Sequence, residues 1–178
     1  MIPWKVLESK ILLERKWLTI TEQRVALPRA VEMEFHQVRS PDWTSVLART
    51  QTGDVVLVEQ YRHGLGGPSL ELPAGVIDPG ESPLQAAKRE LLEETGYSSD
   101  DWRVLQVVNT EPVRHTNRAH FFFAANAEQT QEPTPMEDEN IVVRLSPAAA
   151  LLDSVDRGAI VHGVHVGAIL LAARRGWI

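Results

Sequence analysis

Apolar and polar residues alternate in short runs through much of the chain, which is typical of strands buried on one face. The four consecutive apolar residues at 55–58 instead indicate a strand buried on both faces. The turn-forming sequence Gln-Thr-Gly-Asp at 51–54 lies between two such runs and predicts a hairpin. The pattern as a whole predicts strands at residues 17–27, 44–50, 54–61, 102–109, 118–125 and 141–145.

A helix is predicted at residues 83–95, where both ends carry capping signals. Ser82 is a preferred N-cap residue, Pro83 suits the first helical position, and Gln85 completes a capping box with Ser82. Gly96 is the stop signal, because glycine adopts the left-handed C-terminal conformation without steric cost. The face expected to pack on the sheet consists of Leu84, Ala87, Leu91 and Thr95.

Two more helices are predicted after the last strand, a short one at residues 147–152 and an amphipathic one at 162–174. Mixed strands with helices on both sides predict an α+β sandwich around a mixed sheet. Loops are expected at 64–68 and 129–140. Residues 34–44 are expected to be a less regular link between an N-terminal piece, 1–42, and a main domain, 43–178.

Composition narrows the functional classes. The chain has 178 residues and a formal net charge of −6, so no basic nucleic-acid-binding face is expected. A polyanionic substrate would need a bound cation or local arginines to offset this charge. The chain has no cysteine, which excludes disulfides and thiolate metal sites and fits a cytoplasmic enzyme. No apolar run is long enough for a membrane span.

Three carboxylates share one face of the predicted helix. Glu90, Glu93 and Glu94 stand at i, i+3 and i+4, so they repel one another. They also lie near the helix C-terminus, where the macrodipole disfavours negative charge. A bound divalent cation reverses both effects, and Mg²⁺ prefers oxygen ligands. The alternative is a solvated acidic helix face.

The sequence around this helix resembles the signature of the Nudix hydrolases. Residues 75–97 read GVIDPGESPLQAAKRELLEETGY and fit the pattern G-x5-E-x7-R-E-U-x-E-E-x-G-U, where U is a bulky apolar residue. The last position departs mildly from the pattern, because Tyr97 stands where an aliphatic residue is common. The fixed positions are Gly75, Glu81, Arg89, Glu90, Leu91, Glu93, Glu94, Gly96 and Tyr97.

The resemblance implies an α/β/α sandwich and a divalent-metal site. The implied metal is Mg²⁺, with Mn²⁺ as the alternative, in one to three ions. The implied ligands are the Ala74 carbonyl, Glu90 and Glu94, with Glu93 acting directly or through water. Glu81 and Arg89 are expected to orient these ligands, and the alternative role for Glu81 is that of a weakly bound metal partner.

Sequence upstream of the signature resembles the ADP-ribose pyrophosphatase branch. The chain reads EQYR at 59–62 and ELPAG at 71–75, and Pro112 lies fifteen residues after Tyr97, where that branch carries a proline. Enzymes that hydrolyse GDP-mannose and other nucleotide sugars share these markers. Arg62 is the candidate phosphate-binding residue, Glu71 contacts substrate or caps nearby backbone, and Arg118 is expected to line the pocket.

The branch also implies a glutamate base in a distant loop. The matching segment is Met-Glu-Asp-Glu-Asn-Ile at 136–141, which makes Glu139 the first candidate, Glu137 the second and Glu93 of the helix the third. The alternative for this segment is a solvated acidic loop. The expected reaction converts ADP-ribose to AMP and ribose 5-phosphate.

Other readings remain open at this point. A different Nudix substrate, a ligand-sensing domain without activity and an isomerase of the same fold are the alternatives. Residues 1–42 are expected to form strands that pack across a homodimer, because Trp4, Trp17, Ile20, Val25 and Leu27 are too much apolar surface for a short arm to leave in water. Neither a nucleic acid nor a membrane is expected as a partner.

Overall fold

The computed structural model describes residues 2–29, 31–134 and 140–178. The helices are α1 (Pro83–Thr95), α2 (Ala148–Asp156) and α3 (Gly163–Arg174). The strands are β1 (Lys5–Arg15), β2 (Leu18–Ala26), β3 (Glu32–Arg39), β4 (Trp43–Thr50), β5 (Asp54–Arg62), β6 (Gly67–Glu71), β7 (Ala74–Val76), β8 (Tyr97–Ser98), β9 (Asp101–Asn109), β10 (Arg118–Gln129) and β11 (Ile141–Pro147).

The chain divides into two compact units. One contains Met1–Asp42 together with Val108–Arg118, and the other contains Trp43–Val107 together with Ala119–Ile178. The first unit therefore takes in the segment before β10 as well as the N-terminal piece.

The first unit contains an antiparallel sheet in the order β1-β2-β3. The predicted strand at 17–27 corresponds to β2, but the expectation of an irregular link at 34–44 is wrong for its first half, because β3 pairs with β2 along its whole length. Polar residues of β3 obscure the strand pattern, since they pair across the sheet instead of being buried. Arg24 of β2, for example, lies 2.9 Å from Glu32 and 3.6 Å from Glu8.

The second unit is built on a mixed sheet whose main path runs β11-β5-β4-β10-β8. β4 and β10 are parallel, whereas the β4–β5 and β5–β11 pairs are antiparallel. The predicted hairpin at 51–54 is confirmed, and Gly53 supplies its positive φ of 93°. The mixed sheet expected from the sequence is therefore confirmed.

Helices cover both faces of this sheet. Alternate residues of β10 point to opposite sides. Phe122 and Ala124 join the core under α1, whereas Phe121 contacts His165 of α3 and Phe123 contacts Trp177 just beyond it. This arrangement confirms the predicted α+β sandwich.

Helix α1 has the predicted bounds and caps. The Ser82 hydroxyl accepts from the Gln85 backbone N–H, the Gln85 side chain accepts from the Ser82 N–H, and Gly96 ends the helix at φ 74°. Helix α2 is longer than predicted, and α3 starts one residue later, with His162 at its N-cap. Each helix in the described part of the chain is too short or too polar to cross a bilayer.

Two short strands near the start of α1 are missing from the sequence prediction. β6 pairs with β5, and the three-residue β7 pairs with β4. Both carry proline or glycine and are shorter than a periodicity signal requires. They place the residues 71–76 on the sheet beside the acidic helix.

We predict that Gly96→Ala destabilises the protein by more than about 2 kcal/mol, because a left-handed non-glycine residue costs roughly 1–2 kcal/mol before any clash. A Cβ at this position would also overlap the Gln131 backbone carbonyl. Gly53→Ala is the matched control, since its φ is also positive but its Cβ would meet nothing within 4 Å. Urea unfolding measures both losses, and equal losses would contradict the proposed clash.

Candidate active site

The backbone at Ala74 faces the acidic helix. Ala74 lies opposite Ser45 of β4, and the neighbouring Val46 N–H donates to the Pro73 carbonyl at 2.9 Å. Ala74 therefore occupies a non-hydrogen-bonded position, where both backbone groups point away from the partner strand. Its N–H donates to Glu94 Oε2 at 3.0 Å. The Ala74 carbonyl is thus directed away from β4, as its N–H is.

Gly75 allows the helix to approach this strand. A Cβ at position 75 would overlap the Glu90 carboxylate, so the glycine is needed for space and not for a special φ. Glu90 is 9% exposed and Glu94 is 2% exposed. Two acidic side chains are therefore held against the backbone of residues 74–75 with little access to water.

Arg89 links the acidic residues to one another. Its guanidinium donates to Glu81 at 3.0 and 3.1 Å, to Glu90 at 2.7 Å and to Glu93 at 3.2 Å. It also donates to the Val76 carbonyl at 3.1 Å, which ties α1 to β7. The hydrogen bonds that Arg89 donates to Glu81, and then those to Glu90 and Glu93, raise the pKa of Arg89 despite the opposing effect of burial. Arg89 in turn lowers the pKa of Glu81.

The group keeps a surplus of negative charge. The group contains four glutamates, at positions 81, 90, 93 and 94, and one arginine, so the formal charge of these five side chains is −3. Like charges this close cost free energy when burial lowers the local dielectric. The arrangement therefore favours the binding of a cation.

A second ion pair lies at the ends of β5 and β6. Arg62 donates to both Glu71 oxygens, from Nε at 3.0 Å and from Nη2 at 2.7 Å. Glu71 is 1% exposed, and burial alone would raise the pKa of its carboxyl, but the hydrogen bonds from Arg62 and Ser69 outweigh burial and lower it. The side chain of Arg62 is 43% exposed. Glu71 thus holds a partly exposed guanidinium in a fixed orientation.

A cleft of about 370 Å³ opens beside this pair. Its polar lining comes from the Arg62–Glu71 pair, Ser69 and two histidines, and its apolar lining from two aliphatic side chains. The lining residues are Arg62, His63, Gly64, Leu65, Ser69, Glu71, Val161 and His162.

The remaining predicted site residues are Arg118, Glu137 and Glu139. Arg118 belongs to the first unit, where its backbone N–H donates to Asp42 Oδ1 at 2.8 Å, and its pocket role stays a prediction. Glu137 and Glu139 lie outside the described residues. On either side of that segment, the Thr134 N–H donates to the Glu93 carbonyl at 2.8 Å, and Ile141 lies opposite Gln60.

Three contacts of the site were not expected from the sequence. These are the Ala74–Glu94 hydrogen bond, the two hydrogen bonds between Arg62 and Glu71, and the hydrogen bond from Leu72 to His165. No local signal was available for the second, because the strand β6 that carries Glu71 was not predicted. The other two depend on tertiary packing.

The acidic residues of α1 are not grouped as metal ligands usually are. Among the described residues, the one set of three ligand atoms within 4.8 Å of one another is Glu22, Glu34 and His36, on β2 and β3 of the first unit. The α1 carboxylates instead bond with Arg89 and with the Ala74 N–H. The α1 carboxylates therefore present negative charge and close packing rather than a preformed cluster of oxygens.

Two relatives and one solved structure are similar to this chain over most of its length. The chain is 29% identical to ADP-ribose pyrophosphatase of Bacillus subtilis over 154 residues, covering 84% of this chain and 83% of that protein. It is 28% identical to GDP-mannose pyrophosphatase of Pectobacterium atrosepticum over 188 residues, covering 98% and 96%. A crystal structure of an ADP compounds hydrolase has the same fold, with a TM-score of 0.87 at 21% identity, covering 99% and 95% of the two chains.

The family comparison agrees with the acidic helix and its surroundings. The model of the NUDIX domain matches residues 39–163, which is most of the chain and includes β7, α1 and the Arg62–Glu71 pair. The chain belongs to the NUDIX domain family.

Proposed function

We propose that this protein is a Mg²⁺-dependent hydrolase that cleaves the diphosphate bond of a nucleoside diphosphate sugar. ADP-ribose is the first candidate substrate, and its products would be AMP and ribose 5-phosphate. The observation that carries the proposal is the packing of the α1 carboxylates against the backbone at Ala74 and Gly75, with a net formal charge of −3. The relative from Bacillus subtilis that is named ADP-ribose pyrophosphatase supports the choice of substrate.

The residues present fit a divalent cation. Glu90, Glu94 and the Ala74 carbonyl would hold it, with Glu93 contributing directly or through water, and Mn²⁺ is the alternative ion. Hard oxygen donors are the ligands that Mg²⁺ prefers. The absence of a Cβ at Gly75 leaves the space that the Glu90 carboxylate occupies. Arg89 and Glu81 would keep the carboxylates oriented through their hydrogen bonds.

Arg62 is suited to bind a phosphate of the substrate. Its planar guanidinium matches phosphate oxygens geometrically, and its contact with buried Glu71 fixes its orientation in advance. Such fixing lowers the entropy lost when substrate binds. The adjoining cleft would receive part of the substrate. Arg118 is a further candidate for substrate contact.

The proposed reaction is attack of water on phosphorus, with cleavage of the bridging P–O bond and transfer of the water proton to a base. Bound Mg²⁺ would neutralise the diphosphate and lower the pKa of the attacking water. Glu139 is the first candidate base, Glu137 the second and Glu93 the third. Contacts on either side of the acidic segment support a base there. The Thr134 N–H bonds with α1, and Ile141 pairs with β5, the strand that carries Arg62.

Two other functions would give different results in a hydrolysis test. The relative named GDP-mannose pyrophosphatase aligns over nearly the whole chain, which makes GDP-mannose the second substrate to examine. A ligand-sensing domain is the non-enzymatic alternative. A hydrolysis panel of ADP-ribose, GDP-mannose and other nucleoside diphosphate sugars with Mg²⁺ and Mn²⁺ distinguishes these functions. No hydrolysis of any member, with binding retained, would favour the sensor.

We predict that Glu94→Gln removes most turnover while the metal-free protein stays as stable or becomes more stable. The substitution takes one negative charge from a buried acidic group, yet the amide oxygen can still accept from Ala74. Steady-state kinetics at saturating Mg²⁺ and urea unfolding with chelator provide the two measurements. Glu128→Gln, on β10 and outside the acidic group, is the charge-matched control. Turnover close to that of the control would refute the metal assignment.

We predict that Glu139→Gln lowers kcat by roughly 10²–10⁴-fold, the usual contribution of a positioned general base. Mn²⁺ affinity should change little, because the metal ligands are assigned to other residues. A loss in Glu137→Gln with normal turnover in Glu139→Gln would move the base to Glu137. Normal turnover in both would assign the base to Glu93.

The N-terminal sheet supports the proposal of a homodimer. Large apolar side chains of β1 and its neighbours are exposed in the single chain, including Trp4 at 48%, Ile11 at 53% and Trp17 at 52%. A group of exposed apolar residues of this kind marks an interaction surface. A second copy of the chain is the proposed partner.

We predict that the wild-type protein sediments with dimer mass at micromolar concentration. The double variant Ile11→Lys/Trp17→Lys should sediment as a monomer, since two buried charges at an interface are costly. Val104→Lys, at an apolar position of β9 that is 61% exposed, is the control and should leave the mass unchanged. Wild-type protein of monomer mass would exclude the proposed interface.

A further inference from the structure

His165 is a buried histidine that the proposed reaction does not use. It lies in the first turn of α3 and is 0% exposed. Its ring stacks on His162 with 4.1 Å between centroids, and it contacts Trp43 and Phe121 at 5.8 Å. A position enclosed by rings would accept an apolar side chain at lower desolvation cost. The imidazole at this position therefore calls for a specific explanation.

Among the described residues, the imidazole makes one hydrogen bond, and its partner lies in the segment between β6 and β7. The Leu72 N–H donates to His165 Nδ1 at 3.3 Å across 93 positions of sequence. Nδ1 must be unprotonated to accept, which assigns the ring proton to Nε2. Nε2 is buried and has no hydrogen-bond partner in the described part of the chain. The ring thus accepts one bond while its other nitrogen stays unsatisfied.

The segment that donates this hydrogen bond can donate few others. Only Leu72 and Pro73 separate β6 from β7, and proline carries no N–H. The Leu72 N–H is therefore the sole backbone donor of the connection. The Pro73 carbonyl accepts from Val46 of β4. One bond to β4 and one bond to α3 together fix the path from Glu71 to Ala74.

Burial and the neighbouring charges keep Nδ1 of His165 unprotonated, so that it can accept a hydrogen bond. Burial, and then the neighbouring His162, lower the pKa of His165 to about 3, Arg62 acts in the same direction, and only Glu71 opposes them. Its place at the N-terminus of α3 also disfavours a positive charge. The ring accordingly stays neutral, and Nδ1 stays an acceptor, throughout the physiological range.

We propose that His165 is a positioning residue, which holds Leu72 so that Glu71 orients Arg62 on one side and the Ala74 carbonyl faces the α1 carboxylates on the other. The proposal rests on the proposed function for the metal and phosphate roles of these groups. One buried imidazole would thereby set the spacing between the two halves of the site. A change at His165 should then affect metal affinity as well as turnover, although His165 binds neither metal nor substrate.

The test compares His165→Phe with His165→Asn. Phenylalanine keeps a ring in the stack but leaves the Leu72 N–H without an acceptor, whereas the asparagine side chain places an oxygen near the position of Nδ1. Ile169→Ala is the control, because Ile169 is buried in the same helix one turn further on and makes no contact of this kind. Mn²⁺ affinity without substrate, kcat and KM on the best substrate, and urea stability are measured for all three variants.

We expect His165→Phe to lose roughly 10–100-fold in Mn²⁺ affinity and in kcat/KM, which is typical when a residue supporting metal ligands is removed. His165→Asn should recover most of both. Ile169→Ala should lose stability with little change in Mn²⁺ affinity. Equal Mn²⁺ affinities for His165→Phe and Ile169→Ala would overturn the proposal and leave a packing role alone.

Two further measurements keep the test decisive. If His165→Phe does not fold, ¹⁵N NMR of the wild-type ring should still show the neutral Nε2–H form from roughly pH 8 to 5, where an ordinary histidine takes up a proton. Protonation of His165 in that range would refute the proposal. If the wild type hydrolyses no nucleoside diphosphate sugar, the proposed function fails, while Mn²⁺ affinities that separate Phe from Asn still support the positioning role.

Discussion

The close approach of helix α1 to the backbone of β7 is the contact on which the site depends. It requires a residue without a Cβ at position 75, because the Glu90 carboxylate occupies that space. The approach places two buried glutamates beside a backbone whose polar groups point away from β4. Any side chain at position 75 would separate the helix from the strand and leave the carboxylates without the backbone as a partner.

At the same contact, the packing of α1 and the hydrogen bonds of Arg89 offset the electrostatic cost of burying carboxylates. Burial of several carboxylates is unfavourable, and Arg89 offsets part of that cost through bonds with three glutamates and the Val76 carbonyl. One guanidinium cannot neutralise four carboxylates, so this group of side chains keeps a net negative charge that favours the binding of a cation. The apolar face of α1, with Ala87 and Leu91 in the core, holds the helix in place against this repulsion.

Much of this arrangement was predictable from the sequence, and the reasons differ by element. Ser82, Gln85 and Gly96 fixed α1 to the residue, because caps are local signals with specific chemistry. The strand β3 was missed because Glu34 and His36 lie opposite polar residues of β2, which hides the apolar period. The two bonds of Arg62 with Glu71 and the bond of His165 with Leu72 join residues 9 and 93 positions apart, and no local pattern encodes them.

The end of α1 is joined to the chain segment that follows β10. Thr130 and Gln131 donate to the Gly96 carbonyl at 2.9 and 3.3 Å, and Thr134 donates to the Glu93 carbonyl. The last turn of a helix is ordinarily the first to fray. At this end of α1, however, the carbonyls accept hydrogen bonds from residues that follow β10. The amide protons of residues 130, 131 and 134 should therefore exchange with solvent together with those of the last turn of α1, as one cooperative unit of local opening.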